Sequence, residues 1–270
     1  TLGENGVTSN YRFDLAPYTW RLVRELKQGR ALFTQPPMPI KCAGAPQKIA
    51  YLVQDCGFQP RNVAAITFTN KAAKEMQERI GKLLSRSTAE ELRISTFHAV
   101  GVRILRGESR ALGYKPRFSI LDSADCAGII GDIAKSIDKA TLRRLQSIIS
   151  NWKNALVTPE AALQLATNEH EALAAHAYLS YEATLKAYQA MDFDDLIGLP
   201  VKLFSEHPEI AEKWQNRLRY LLIDEYQDTN YSQYLIVKKL AAIHQNICVV
   251  GDDAQSIYSF RGARIENILE

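Results

Sequence analysis

Short apolar runs alternate with helical repeats of apolar residues over most of this chain. Val63 to Phe68, Tyr220 to Ile223 and Ile247 to Val250 have the length and continuity of strands buried on both faces. The first two are followed by helical spacing, over Lys71 to Leu84 and over Tyr234 to Ile243. Strands that alternate with helices predict an α/β fold whose mostly parallel sheet is covered on both faces.

Residues 122 to about 190 interrupt this alternation, because their apolar residues recur only at helical spacing. Asp122 can cap the first helix, and Thr158-Pro159 marks another helix start with proline in its first turn. We therefore predict an all-helical insertion at 122–195, between a first part of the sheet domain at 46–121 and a second part at 196–270. Residues 1–45 contain clustered prolines and stay unassigned.

Composition and charge place the chain among ordinary globular proteins. The net charge of +3 and the pI of about 8.6 only weakly favour an anionic partner. No apolar run approaches the roughly 20 residues that cross a bilayer, so we expect no membrane contact. The first residue is Thr1 rather than methionine, which is typical of a fragment or a processed product. Scattered cysteines without CxxC spacing favour reduced thiols in a cytoplasmic protein; they are Cys42, Cys56, Cys126 and Cys248.

A pair of carboxylates, Asp224-Glu225, follows the apolar run Leu221-Leu222-Ile223. In parallel sheets, ligands bind beyond the carboxyl ends of the strands. There, one carboxylate can hold Mg²⁺ and the other can accept a proton from an attacking water. A solvated strand end followed by a helix cap is the structural alternative, but the Gln-Asp that follows the pair favours nucleotide hydrolysis.

A second polar cluster, Gly251 to Ala263, follows the strand predicted at Ile247 to Val250. Its glutamine, Gln255, can sense a terminal phosphate by hydrogen bonding, and Arg261 can pair with phosphate as a fork. Tyr258 and Phe260 can stack on unpaired bases. A loop whose aromatic residues belong to the core is the alternative.

Two further polar clusters follow the earlier strands. Thr69 and Asn70 come after Phe68, and Thr96 and His98 surround Phe97. These side chains, with the backbone N–H groups of the helix starts, can contact a sugar-phosphate backbone, and Phe68 can touch a base. Ordinary helix capping is the alternative for Thr69 and Asn70, and a structural histidine is the alternative for His98. In Met191 to Leu196, three acids in four residues indicate a helix start rather than a metal site.

Four strings in this order together resemble the Rep/UvrD/PcrA family of superfamily 1 DNA helicases: TFTNKAAKEM, STFHAVG, LLIDEYQDTN and VVGDDAQSIYSFRGA. A fifth string, MDFDDL, lies before the third and fits the same family. The resemblance implies a RecA-like, P-loop NTPase-type sheet with a helical insertion, driven by ATP and Mg²⁺ in 3'-5' movement along single-stranded DNA. It implies a metal role for Asp224, a general-base role for Glu225 and γ-phosphate sensing by Gln255. The residues that it would place along the DNA are Phe68, Asn70, His98, Tyr258 and Phe260. Family members usually carry tryptophan where this chain has Phe260.

Two departures from the family pattern limit what this chain can do alone. The stretch Cys42 to Ala50 reads CAGAPQKIA, and no GxxxxGK[ST] occurs in the chain, so the phosphate-binding loop is missing. We expect Pro46 to prevent Lys48 from replacing its lysine. The chain also stops before the second RecA-like domain that we expect in the full-length protein. We therefore expect negligible ATPase activity.

Two alternatives to an ATP-driven motor remain open at this point. The family resemblance implies single-stranded DNA and duplex junctions as partners, whereas the first alternative is a non-catalytic module that binds single-stranded DNA. The chain could also be a non-functional gene fragment that folds poorly because its sheet lacks the strand before the phosphate-binding loop.

Overall fold

The computed structural model describes residues 30–34, 44–135 and 138–251, together with Arg21 and Glu25. Five parallel strands form the main sheet: β1 (Arg30–Thr34), β2 (Val63–Thr67), β3 (Arg93–Thr96), β6 (Tyr220–Ile223) and β7 (Ile247–Gly251). Their order across the sheet is β1-β7-β6-β2-β3. A separate two-stranded sheet pairs β4 (Ser119–Ile120) with β5 (Ala190–Met191). The predicted α/β fold with a parallel sheet is confirmed.

Helices connect the strands and cover both faces of the main sheet. The helices of the sheet domain are α1 (Gly44–Gln54), α2 (Asn70–Leu83), α3 (Arg86–Glu91), α4 (Phe97–Glu108), α9 (Asp195–Glu206), α10 (Pro208–Arg217) and α11 (Tyr231–Ala241). The helical block is formed by α5 (Ser123–Ala134), α6 (Lys139–Asn154), α7 (Pro159–Leu165) and α8 (Glu169–Ala187). This block falls within the insertion predicted at 122–195, whose boundaries remain a prediction.

Strand β1 lies in the segment that the sequence left unassigned. It pairs in parallel with β7, from Arg30 opposite Ile247 to Thr34 opposite Gly251. The expectation that the sheet lacks the strand before the phosphate-binding loop is therefore wrong. Only three apolar residues, in 31–33, precede the clustered prolines, and this pattern is too short to distinguish a strand from a loop.

Alternating side chains of β2 serve two separate cores. Ala64 and Ile66 join a cluster with residues of α4, α9, α10 and α11 on one face of the sheet. Val63 and Ala65 join α1, α2 and Leu222 of β6 on the other face. Because successive side chains of a strand point to opposite faces, one fully buried strand supports both layers of helices.

The helical block has its own core and is attached to the sheet domain through a buried ammonium group. Lys153 on α6 is 7% exposed. Its Nζ lies 2.7 Å from Glu182 of α8, and 2.8 Å from both Asp192 and Asp195, which precede and begin α9. Asp192 and Asp195 also accept each other's backbone N–H, at 2.9 and 3.1 Å. The acids of the MDFDDL string thus form a helix start, as predicted, and also a counter-charge for Lys153.

Replacing Lys153 with methionine should lower the free energy of unfolding by about 3 to 5 kcal/mol, because Asp192 and Asp195 would stay buried without their counter-charge. Lys202→Met is the matched control, since its pair with Glu206 spans 3.9 Å and both side chains are more than half exposed. We expect the control to cost less than about 1 kcal/mol. Urea denaturation followed by tryptophan fluorescence measures both changes, and equal losses would contradict this role of Lys153.

Candidate nucleotide and nucleic-acid site

Three neighbouring strands of the sheet end side by side at one edge, which we call the carboxyl edge. The register pairs Thr67 at the end of β2 with Thr96 at the end of β3. On the other side of β2, Ile66 pairs with Ile223, so Asp224 follows β6 at the level of Thr67. The backbone N–H of Asp224 donates to the Ile66 carbonyl oxygen at 2.9 Å. The clusters that sequence analysis singled out after these strands are thus brought together.

Asp224 is a buried carboxyl group at this edge, with 9% of its surface exposed. Burial and the neighbouring Glu225 raise its pKa to about 6, while a backbone hydrogen bond and the charge of Lys48 act in the opposite direction. Within the described ranges, its Oδ1 atom has no hydrogen-bond partner. An acceptor oxygen that is buried without a donor is suited to a cation or to a water molecule bound to one.

Thr67 adds a second oxygen to this position. Its side chain is fully buried, and no group in the described part of the chain hydrogen-bonds to its Oγ1. Thr67 and Asp224 sit at the same level of adjacent strands, so their side chains share one face of the sheet. Mg²⁺ prefers oxygen ligands and retains several waters, so these residues fit a hydrated Mg²⁺. No cluster of three His, Cys, Asp or Glu side chains occurs in the described ranges.

Glu225 adopts a left-handed backbone conformation, with φ 54° and ψ 42°, which is unusual for a residue other than glycine. Gln227 fixes the orientation of its side chain, because its Nε2 donates to Glu225 Oε2 at 2.9 Å. Gln227 is itself 1% exposed and lies against the end of β7. A Cβ atom on Gly251 would come within 2.7 Å of Gln227 Oε1, so any larger residue there would have to displace the Gln227 side chain. Gln227 therefore connects the candidate general base to the strand that leads into 252–263.

The phosphate side of the site differs from the carboxylate side. Helix α1 begins at Gly44, and Pro46 lies in its first turn, where a proline is tolerated but provides no N–H donor. Lys48 is close enough to Asp224 for its charge to lower the pKa of that carboxyl group. The residues present fit Mg²⁺, but with no GxxxxGK[ST] they do not supply the backbone cradle that binds nucleotide phosphates.

A cavity of about 680 Å³ separates the carboxyl edge from the helical block. Phe68, Phe97 and His98 line it from the sheet domain, and the polar face of α6 lines it opposite, through Arg143 and Ser147. The cavity lies where the sequence-predicted DNA contacts follow β2 and β3. Its two walls belong to different parts of the chain, so its shape depends on how the helical block is attached.

Aromatic rings form the sheet-domain side of the cavity. The rings of Phe68 and Phe97 meet edge to face at 6.1 Å, and those of His98 and Phe193 at 5.7 Å. Burial lowers the pKa of His98, so its imidazole is neutral at neutral pH and can donate one N–H. Phe193 is 52% exposed, although large apolar side chains are usually buried. These rings can stack on unpaired bases.

Amide groups connect the two walls at the floor of the cavity. Asn154 of α6 donates through Nδ2 to Asp194 Oδ1 at 2.8 Å. Asn230, which caps α11, donates to Asn154 Oδ1 at 2.7 Å. Burial, and then the charge of Asp192, raise the pKa of Asp194. Sequence analysis missed these residues and Phe193, because contacts between segments about 40 to 76 residues apart leave no local pattern.

Thr69 and Thr96 both cap helices in the structure. Thr69 caps α2 by accepting the Ala72 N–H at 3.1 Å, and Thr96 caps α4 by accepting the Ala99 N–H at 3.3 Å. Each hydroxyl retains its own hydrogen as a possible donor, and exposed Asn70 begins α2. Roles in DNA binding for these residues stay predictions. The remaining predicted site residues lie outside the described residues: Gln255, Tyr258, Phe260 and Arg261.

Comparison with known proteins gives a consistent match. The UvrD/REP helicase N-terminal domain family matches residues 45–270. The chain belongs to this family. It is 50% identical over 225 residues to the ATP-dependent DNA helicase Rep of Escherichia coli (strain K12). The aligned stretch covers 82% of this chain and 33% of Rep. The chain is 47% identical over 226 residues to the ATP-dependent DNA helicase PcrA of Staphylococcus aureus (strain Mu50). The aligned stretch covers 82% of this chain and 31% of PcrA.

The family resemblance read from the motifs is thus confirmed, and this member of the UvrD/REP family spans about a third of the length of these relatives. None of its helices in the described ranges is long and apolar enough to cross a membrane. In the described ranges, Cys56 and Cys126 are free thiols.

Replacing Asp224 with asparagine should stabilise the chain at neutral pH. The folded-state pKa of Asp224 is raised, so its contribution to stability is present below pH 3.8 and is lost as the pH rises through about 6. We expect the free energy of unfolding of the variant to exceed that of the wild type by on the order of 2 to 3 kcal/mol at pH 7. The two values should match near pH 3.8. Urea denaturation at several pH values checks this, with exposed Asp132→Asn as the control. A constant difference across the range would contradict the burial of this carboxylate.

Proposed function

We propose that the protein to which this chain belongs is an ATP-dependent DNA helicase that moves 3'-5' along single-stranded DNA and unwinds duplexes. The named activities of Rep and PcrA support this, as does the buried carboxylate pair Asp224-Glu225 at the carboxyl edge. In the complete cleft, Asp224 would hold Mg²⁺, and Glu225, oriented by Gln227, would accept a proton from water. A second RecA-like domain would complete that cleft.

For the chain itself, we propose single-stranded DNA binding without significant ATP hydrolysis. The observation that carries this is the cavity at the carboxyl edge, where Phe68, His98 and Phe193 line one surface. Stacking on these rings needs neither a nucleotide nor the missing phosphate-binding loop. Thr69, Asn70 and Thr96 would contact the backbone from the two helix starts. Duplex junctions would reach this cavity through their unpaired strand.

We propose no significant ATP hydrolysis by the chain because it lacks the phosphate-binding loop. Without a backbone cradle, the phosphates of ATP would have only isolated side chains to bind, and the charge of Lys48 is already partly used by Asp224. This favours a non-catalytic single-strand-binding role for the isolated chain over an ATP-driven cycle. The well-formed sheet and the separate cores disfavour the poorly folded gene fragment.

Phe193→Ala and Phe68→Ala should each weaken binding of a labelled single-stranded oligonucleotide by about 5- to 100-fold, because one base-stacking contact is worth about 1 to 3 kcal/mol. Tyr188→Ala is the matched control, since this aromatic ring is 66% exposed and does not line the cavity. We expect less than about a twofold change for the control. Fluorescence anisotropy at one fixed salt concentration measures all three. Equal affinities of wild type and both cavity variants would exclude the cavity as the binding surface.

A further inference from the structure

Five arginines gather at the opposite end of the sheet, where the strands begin, and we call this surface the basic edge. It consists of Arg61, Arg93, Arg103, Arg217 and Arg219. Arg61 lies just before β2, Arg93 begins β3, and Arg219 directly precedes β6. Since β6, β2 and β3 are adjacent in the sheet, these three residues lie in a row along its edge. Arg217 ends α10, and Arg103 lies on α4, which runs back from the end of β3.

In the part of the chain that the structure describes, no carboxylate pairs with a guanidinium group of the basic edge. None of the five forms an ion pair within the described ranges. Their contacts in the described ranges are with neutral groups. Arg61 donates to Gln59 Oε1 through Nε at 3.1 Å and Nη2 at 2.8 Å, and Arg93 Nε donates to the Arg61 carbonyl oxygen at 3.0 Å. Arg217 lies 5.2 Å from the centre of the Trp214 ring. Burial, and then the charges of Arg217 and Arg103, lower the pKa of Arg93. The cations are therefore close enough to repel one another.

Nearby acids do not offset this repulsion. Glu108 at the end of α4 binds Lys213 at 2.6 Å and accepts from the Trp214 indole at 3.0 Å. Glu91 precedes Arg93 by two residues but forms no ion pair with it or with its neighbours. A cluster of like charges without counter-ions destabilises the folded chain slightly, and binding of an anion would remove that cost.

The shape of the basic edge favours a linear polyanion. Adjacent strands lie about 4.8 Å apart, so charges at their ends form a short row rather than a pocket. Guanidinium groups match phosphate oxygens as forks. In the described ranges, two aromatic residues beside the edge, Phe58 and Tyr220, are half-buried and stack on each other at 3.8 Å, so the faces they turn to each other are not available to an unpaired base. Recognition here would rely on the phosphates, which a duplex presents on its outside.

We propose that the basic edge binds the phosphodiester backbone of double-stranded DNA, as a second contact separate from the cavity at the carboxyl edge. The chain would then hold a single strand at one end of its sheet and a duplex segment at the other. The proposal does not depend on ATP or on the phosphate-binding loop.

The test measures binding of a blunt 20-base-pair duplex to the full 270-residue chain by anisotropy across a salt series. The triple variant Arg61→Gln/Arg93→Gln/Arg217→Gln should bind at least about tenfold more weakly at low salt, and the slope of log K against log salt should fall by about 2 to 3. The matched control, Lys139→Gln/Arg144→Gln/Lys202→Gln, removes three exposed cations elsewhere and should change affinity by less than about threefold. A triple arginine-to-lysine variant should retain most of the affinity, and circular dichroism confirms that each variant is folded.

Three outcomes would overturn the proposal: no duplex binding by the wild type, equal losses for the triple variant and its control, or competition by poly-glutamate as effective as competition by duplex at equal charge. The last result would assign the surface to an acidic protein. Single-stranded binding, tested separately with Phe68→Ala, should be unchanged in the triple variant. Failure of that single-stranded binding would count against the cavity and not against the basic edge.

Discussion

The buried ammonium of Lys153 is the contact on which the cavity depends. It lies on α6, whose polar face forms one wall, and it holds Asp192 and Asp195, which precede and begin the helix behind the other wall. Phe193 sits between these two acids in sequence, so the same ion cluster positions the exposed ring. A rigid attachment between the helical block and the sheet domain therefore gives a surface that no single segment could form.

The two ends of the sheet provide different chemistry. At the carboxyl edge, burial leaves oxygens of Asp224 and Thr67 without hydrogen-bond donors in the described ranges, and Gln227 constrains Glu225 in a strained backbone conformation. Such arrangements cost stability and are common at functional sites. On the other side of this site, the chain lacks the loop that would bind phosphates. This arrangement fits the metal and proton roles that we propose for the carboxylates, and the missing loop is why we propose no ATP hydrolysis by the chain itself.

Much of this arrangement could be predicted from the sequence. Continuous apolar runs identified β2, β6 and β7, and capping residues identified the starts of α2, α5 and α7, because these signals are local. The motif strings identified the family. Strand β1 was missed because three apolar residues before a proline cluster are ambiguous. The Lys153 cluster, the amide floor of the cavity and the link from Gln227 to Gly251 were missed because they join distant segments.

Lys48 was not expected to replace the lysine of the missing loop, because Pro46 lies two residues before it. Pro46 does not break α1, since it lies in the first turn, and the charge of Lys48 does reach Asp224. A single cation near one carboxylate still differs from a loop of backbone N–H groups that surrounds a phosphate. Whether the chain can bind a nucleotide thus depends on the loop rather than on this lysine.

The most direct test of the account is a calorimetric titration of the chain with a non-hydrolysable ATP analogue and Mg²⁺, with and without single-stranded DNA. We expect single-strand binding by the chain and no measurable nucleotide binding in either condition. Nucleotide binding at micromolar affinity would contradict it, and would mean that residues around α1 form a phosphate site despite the missing loop.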